Sequence, residues 1–150
     1  MTVSENMSVI RSNLMDNEQK KRILKSYVPL LKELKKIEDE IIYWRSKSTR
    51  FGGSVIKFSK GSRVNRTEEA YDKLELLDYR FSDKIIRLSE IRNLIEDGIE
   101  KLEDPLHRVL MRMRYVEGRS WEFIAVEMSY GWAQVHRLHS IALKCIRFDT

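Results

Sequence analysis

The chain has little of what breaks a helix or cross-links a fold. Of its 150 residues only six are glycine and two are proline, which argues against the frequent turns of a β-rich architecture. A single cysteine, Cys145, excludes an internal disulfide framework and fits a reducing compartment. Its apolar neighbours Ala142, Leu143 and Ile146 lead us to expect a small buried side chain near the chain's end. No apolar run approaches membrane length, and the first residues lack the apolar core of a signal peptide, so we expect a cytoplasmic protein of a bacterial cell. Acidic residues are absent altogether from 45–66, a segment with seven basic ones.

What is present is charge, and it is segregated. Residues 1–44 sum to +1, 45–66 to +7, 67–104 to −6 and 105–150 to +3. A polyanion would be drawn to the second and fourth segments and repelled by the third. With 34% charged residues the chain suits long solvated helices rather than a compact β fold.

Ile23, Tyr27, Leu30, Leu34, Ile37, Ile41 and Trp44 alternate steps of four and three, a heptad seam that predicts a helix over 18–44. Pro29 inside it predicts a kink, or a break with Pro29 in the first turn of the longer helix. A second stripe runs Leu74, Leu77, Phe81, Ile85, Leu88, Ile91, Ile95, Ile99 and Leu102, with Thr67 as the expected N-cap ahead of Glu68 and Glu69. Matching stripes predict an antiparallel pair. Gly98 is expected to end or bend the second helix, and Asp104-Pro105 to start the next. Between the stripes, 45–66 holds three of the six glycines and no clear period, and reads as a long basic loop. Val55-Ile56-Lys57-Phe58 within it could make a short strand.

The last third carries a different spacing. With Ala125 as the small residue of a first helix, Ser129 falls at the turn, and Val135 and Leu138 fall where a second helix faces inward. Ile124 and Met128 complete a small core beneath them. This is helix-turn-helix spacing. One departure stands out: Ser129 occupies the turn position that usually needs positive φ, with Gly131 two residues on, which predicts a turn of altered shape. The fold expected is therefore all-α: a long, coiled-coil-like antiparallel helical hairpin followed by a C-terminal helix-turn-helix domain. Its parts are a flexible arm over 1–16, the hairpin over 17–104 and the terminal domain over 105–150.

Arg108, Leu110, Arg114, Tyr115, Glu117, Gly118, Trp121, Ile124, Ala125, Val135, Ala142 and Leu143 stand in a pattern similar to region 4 of bacterial sigma-70-type factors. More closely, RYVEGRSWEFIA followed by HRLHSIAL resembles a family of small phage and prophage proteins of low-GC Gram-positive bacteria with a sigma-70 region 4-like helix-turn-helix. The chain departs from sigma factors at Gly131, where a hydroxyl residue usually caps the second helix, and at Ile141, where a basic residue is usual. The resemblance implies transcriptional regulation through duplex DNA, and it makes RNA polymerase a further expected partner. It also matches His139, for which a structural role is implied.

In a helix-turn-helix the second helix enters the major groove and its early outward residues meet base edges. That leaves Trp132, Ala133, Gln134, His136 and Arg137 for the bases. Arg137 can pair bidentately with guanine, Gln134 with adenine, and Ala133 suits a thymine methyl. For Trp132 packing on Tyr130 or the hairpin is an equal alternative. Arg112, Arg119 and Ser120 are expected at phosphates, as are Lys57, Lys60 and Arg63 of the basic segment. Ser120 should also cap the first motif helix, with Glu122 in its first turn. Pairing with the acids of 96–104 is the alternative for Arg108, Arg112 and Arg114, and is preferred for Arg108 and Arg114.

Nothing points to an enzyme: there is no paired-carboxylate constellation, no phosphate-cradling glycine loop before a helix, and no nucleophile with a partner base. His136 and His139 lie three apart, but no further ligand stands beside them, so no metal or other cofactor is expected. The expectation is a sequence-specific duplex DNA-binding regulator, with a homodimer through the hairpin as a further possibility. The alternative is a phage assembly, DNA-packaging or protein-interaction module that uses the hairpin.

Overall fold

A computed structural model describes the backbone of residues 15–53 and 60–149, and side chains there except over 50–67. Among the described residues every regular element is a helix, and the first two helices pack as a hairpin. Helix α1 spans Asn17–Gly53, α2 Lys60–Glu100, α3 Pro105–Tyr115, α4 Trp121–Glu127 and α5 Trp132–Cys145. No described helix is long and apolar enough to cross a membrane.

The N-terminus of α1 is set by a capping box: Gln19 N–H donates to the Asp16 carboxylate at 2.7 Å, and Asp16 N–H to the Gln19 amide oxygen at 3.0 Å. The helix runs through Pro29 and does not begin there. It also runs well past Trp44, which corrects the long loop expected over 45–66. No glycine or proline interrupts 45–51, and the hydroxyls of Ser46, Ser48 and Thr49 bond back to carbonyls three or four residues earlier. Because α2 begins at Lys60, Thr67 lies inside a helix rather than at its N-cap. The expected strand at 55–58 and the arm up to residue 14 lie outside the described residues.

The chain divides into two compact units. In the unit of Leu30–Ser89, α1 and α2 bury Ile41, Ala70 and Leu77. Glu33 pairs with Lys84 at 2.6 Å and Arg45 with Asp78 at 3.5 Å; the later residue of α1 meets the earlier one of α2, as the antiparallel helices of a hairpin require. Ile85, placed in the seam by periodicity, is 43% exposed.

The other unit joins residues up to Pro29 with Glu90 onward, and it holds the larger core. Leu24, Ile95, Ile99, Leu110, Met111, Ile124, Val135 and Ile146 are fully buried there. Helix α2 ends two residues beyond Gly98, which is a point of close approach: a Cβ there would lie 2.7 Å from the Phe148 ring. Asp104 caps α3 by accepting from Leu106 N–H, with Pro105 in the first turn where its missing N–H costs nothing. Ser120 caps α4 by accepting from Phe123 N–H at 3.2 Å. Helices α3, α4 and α5 all pack on one another.

The turn from α4 to α5 has the shape that Ser129 was expected to prevent. Ser129 takes φ 55°, Tyr130 N–H donates to the Ala125 carbonyl and Ser129 N–H to that of Val126, each at 3.0 Å. This is a Schellman motif with a serine in the left-handed position usually held by glycine. Serine costs about 1 kcal/mol there, and the paired carbonyls offset it. Gly131 is extended, at φ −70°, and caps α5 without a side chain.

Candidate nucleic-acid interface

The residues of α5 sort by helical period. Val135, Ala142 and Leu143 are buried and Leu138 is half-buried, so the opposite face carries Ala133, Gln134, Arg137, Ile141 and Lys144 to the surface. Trp132, in the first turn, is 52% exposed. No ion pair among the described residues engages Arg137. The N-terminus of α5, where Trp132 and Ala133 sit, carries unsatisfied N–H groups and the positive end of the helix dipole.

His136 does not join that face. Its ring contacts two indoles, 4.6 Å from Trp121 and 4.5 Å from Trp132, centroid to centroid, and its Nε2 is buried without a hydrogen-bond partner. The expectation that His136 reads bases is therefore corrected. Tilted ring contacts with both indoles, at interplanar angles of 44° and 47°, outweigh the outward angle its position would otherwise give.

The stack continues inward. Trp121 carries the Arg114 guanidinium over its ring at 4.6 Å and meets the His139 ring edge-on at 4.9 Å. Arg114 is fixed in turn by donating to the Arg119 carbonyl at 2.7 Å. His139 Nε2 lies 2.7 Å from the Tyr115 hydroxyl. Burial, with the positive charges of Lys21, Arg114 and Lys25 and the neighbouring His136, pushes the His139 pKa down to about 4, while burial holds that of Tyr115 above its ordinary value. The imidazole is thus neutral and the phenol protonated, and the two share one hydrogen bond whose donor is set by the His139 tautomer.

This network gives stability a sign. In the unfolded chain His139 takes up its proton near 6.5, and in the fold only near 4. Between those values the unfolded state binds more protons, so stability falls as pH falls through that window. Allowing for partial exposure, the loss should be about 2 kcal/mol. The carboxylates titrate in part of the same range, so the measurement is the urea midpoint against pH for the protein and for His139→Gln. The expected result is a shallower acid decline in the variant; parallel declines would remove the assignment.

The expected phosphate contacts divide. Arg119 is exposed, lying over the Phe123 ring at 4.7 Å and 3.3 Å from Glu117. Ser120 is exposed, but its hydroxyl already accepts from Phe123 N–H, which leaves its proton to donate. Arg112 is corrected: its guanidinium bonds Glu96 at 3.1 Å and Glu100 at 2.5 Å, two ion pairs that fix α3 to α2. Arg108 is also internal, donating to the carbonyls of Leu102 and Glu103 rather than to an acid. Lys60 and Arg63 fall in the first turns of α2 with undescribed side chains, and Lys57 lies outside the described residues.

Two basic residues were missed. Lys21 and Lys25 of α1 stand close enough to His139 to depress its pKa, and Lys25 is exposed. They flank α5 from a helix over a hundred residues earlier, so no local spacing could have pointed to them. Cys145, expected buried, is exposed beside a pocket that His107, Asp104 and Arg147 also line. Among the described residues no group of three His, Cys, Asp or Glu side chains is placed to hold a metal ion. Comparison with family models, curated proteins and solved structures finds no match for this chain.

Proposed function

We propose that α4, the Ser129 turn and α5 act as a helix-turn-helix, and that the protein is a sequence-specific duplex DNA-binding regulator of the phage sigma-like kind. The observation that carries this is the segregation within α5: Val135, Ala142 and Leu143 are buried, while Gln134 and Arg137 are exposed on the other side. An exposed arginine and glutamine one turn apart near a helix N-terminus suit guanine and adenine edges in a major groove. In this reading the exposed Arg119 and Lys25 meet phosphates, and the cytoplasm of a bacterial host is the setting. RNA polymerase is the corresponding protein partner.

The test is selection of bound fragments from random and phage genomic DNA, repeated with Gln134→Ala and Arg137→Ala. Each variant should lose about 10-fold to 100-fold in discrimination at one base pair while keeping weak, salt-sensitive binding. Equal selection by the protein and both variants would exclude α5 as the reader.

A second reading has its own observation. The unit of Leu30–Ser89 exposes Ile42 at 60%, Tyr71 at 65%, Tyr79 at 72% and Ile86 at 60%, more large apolar surface than a free helical hairpin needs. The hairpin would then be an interaction or assembly module, pairing with a second copy or another protein. Mass measured in solution should drop toward that of one chain on Tyr79→Lys with Ile86→Lys if the hairpin self-associates. An unchanged mass would leave these residues no role in joining copies.

A further inference from the structure

The exposed start of α5 is not uniformly polar. Trp132 and Ala133 place apolar surface immediately before the polar pair Gln134 and Arg137. An indole on a free surface samples several rotamers, and ordering it on binding costs affinity. Trp132 is not free in that way. Its ring rests 4.5 Å from His136, which rests 4.6 Å from Trp121, which in turn lies 4.6 Å from the Arg114 guanidinium. The column ends on backbone, through the Arg114 bond to the Arg119 carbonyl. The half-exposed indole is therefore held from behind before any ligand arrives.

The major groove offers one apolar group to such a surface, the C5-methyl of a pyrimidine; every other base edge presents donors and acceptors. Nothing on Ala133 and only the indole N–H on Trp132 can answer a donor or acceptor. We infer that Trp132 and Ala133 form a pre-set apolar reader of a pyrimidine C5-methyl, adjoining the base pairs that Gln134 and Arg137 meet. This rests on the duplex-DNA reading of α5 and adds to it the chemical group recognised. The methyl can belong to thymine or to 5-methylcytosine.

A duplex recovered by selection is remade with each thymine in turn replaced by deoxyuridine, which removes the methyl and leaves all base-pair hydrogen bonds. At one or two positions affinity should fall about fourfold, the value of one buried methyl. Trp132→Ala should bind thymine and uracil versions equally, and Trp132→Phe should keep part of the difference; circular dichroism checks that both fold. Placing cytosine or 5-methylcytosine at the sensitive position separates the two sources of the methyl. If no uracil substitution alters binding, or if Trp132→Ala keeps the full difference, the inference is overturned while the DNA reading stands. Failure to recover any preferred duplex would overturn both.

Discussion

Leu24→Ala should lower the free energy of unfolding by about 3 kcal/mol, the typical loss for a fully buried leucine whose cavity does not collapse. Leu24 is 0% exposed within the unit that carries α3, α4 and α5. Ile23→Ala, one residue earlier on a half-buried position, should cost no more than about half as much. Urea unfolding measures both, and a constant slope with a shifted midpoint would assign the change to the folded state. A loss at Ile23 larger than that at Leu24 would mean that the heptad seam, not the Leu24 face, is the packed side of α1 here.

The contrast shows where periodicity stops being informative. A seam through Ile23, Tyr27 and Leu30 is what α1 presents if it packs along α2 alone. The first turns of α1 also serve the helices that follow α2, and the buried face there is Lys20, Leu24 and Tyr27. Local chemistry was legible: Asp104-Pro105 and Ser120 start their helices because capping depends only on a few neighbouring residues. The inward Val135 and outward Gln134 and Arg137 were legible for the same reason, since Gln134 and Arg137 lie about one turn apart on a face turned away from Val135. The end of α1 was not, because 45–51 forms helix without an apolar stripe to announce it. Arg112 was misplaced because its acids lie on the preceding helix, across a chain reversal at 101–104, where only the packing of α3 on α2 selects among three candidate arginines. His136 required knowing that Trp121, on another helix, would pack against its ring.

Lys20 is the longest-range case, and it carries the second large effect. It is 6% exposed, and its ammonium donates to the carbonyls of Leu143 at 3.2 Å and Lys144 at 3.1 Å. These belong to the last turn of α5, where carbonyls have no helical N–H to accept from. The ammonium also meets the negative end of the α5 dipole. Burial lowers the Lys20 pKa, and the nearby Arg147 charge adds to that, so the contact holds a proton against both. Lys20→Met keeps most of the aliphatic stem but leaves two carbonyls without this donor, and should cost about 2 to 3 kcal/mol. Lys25→Met, on an exposed position of the same helix, should change stability by less than about 0.5 kcal/mol. The loss should be local as well as global: amide exchange at Leu143 to Ile146 should quicken before the rest of the unit responds. A Lys20→Met protein as stable as the original would mean that water satisfies those carbonyls equally well. The first turn of α1 would then have no part in holding the helix that we propose reads DNA.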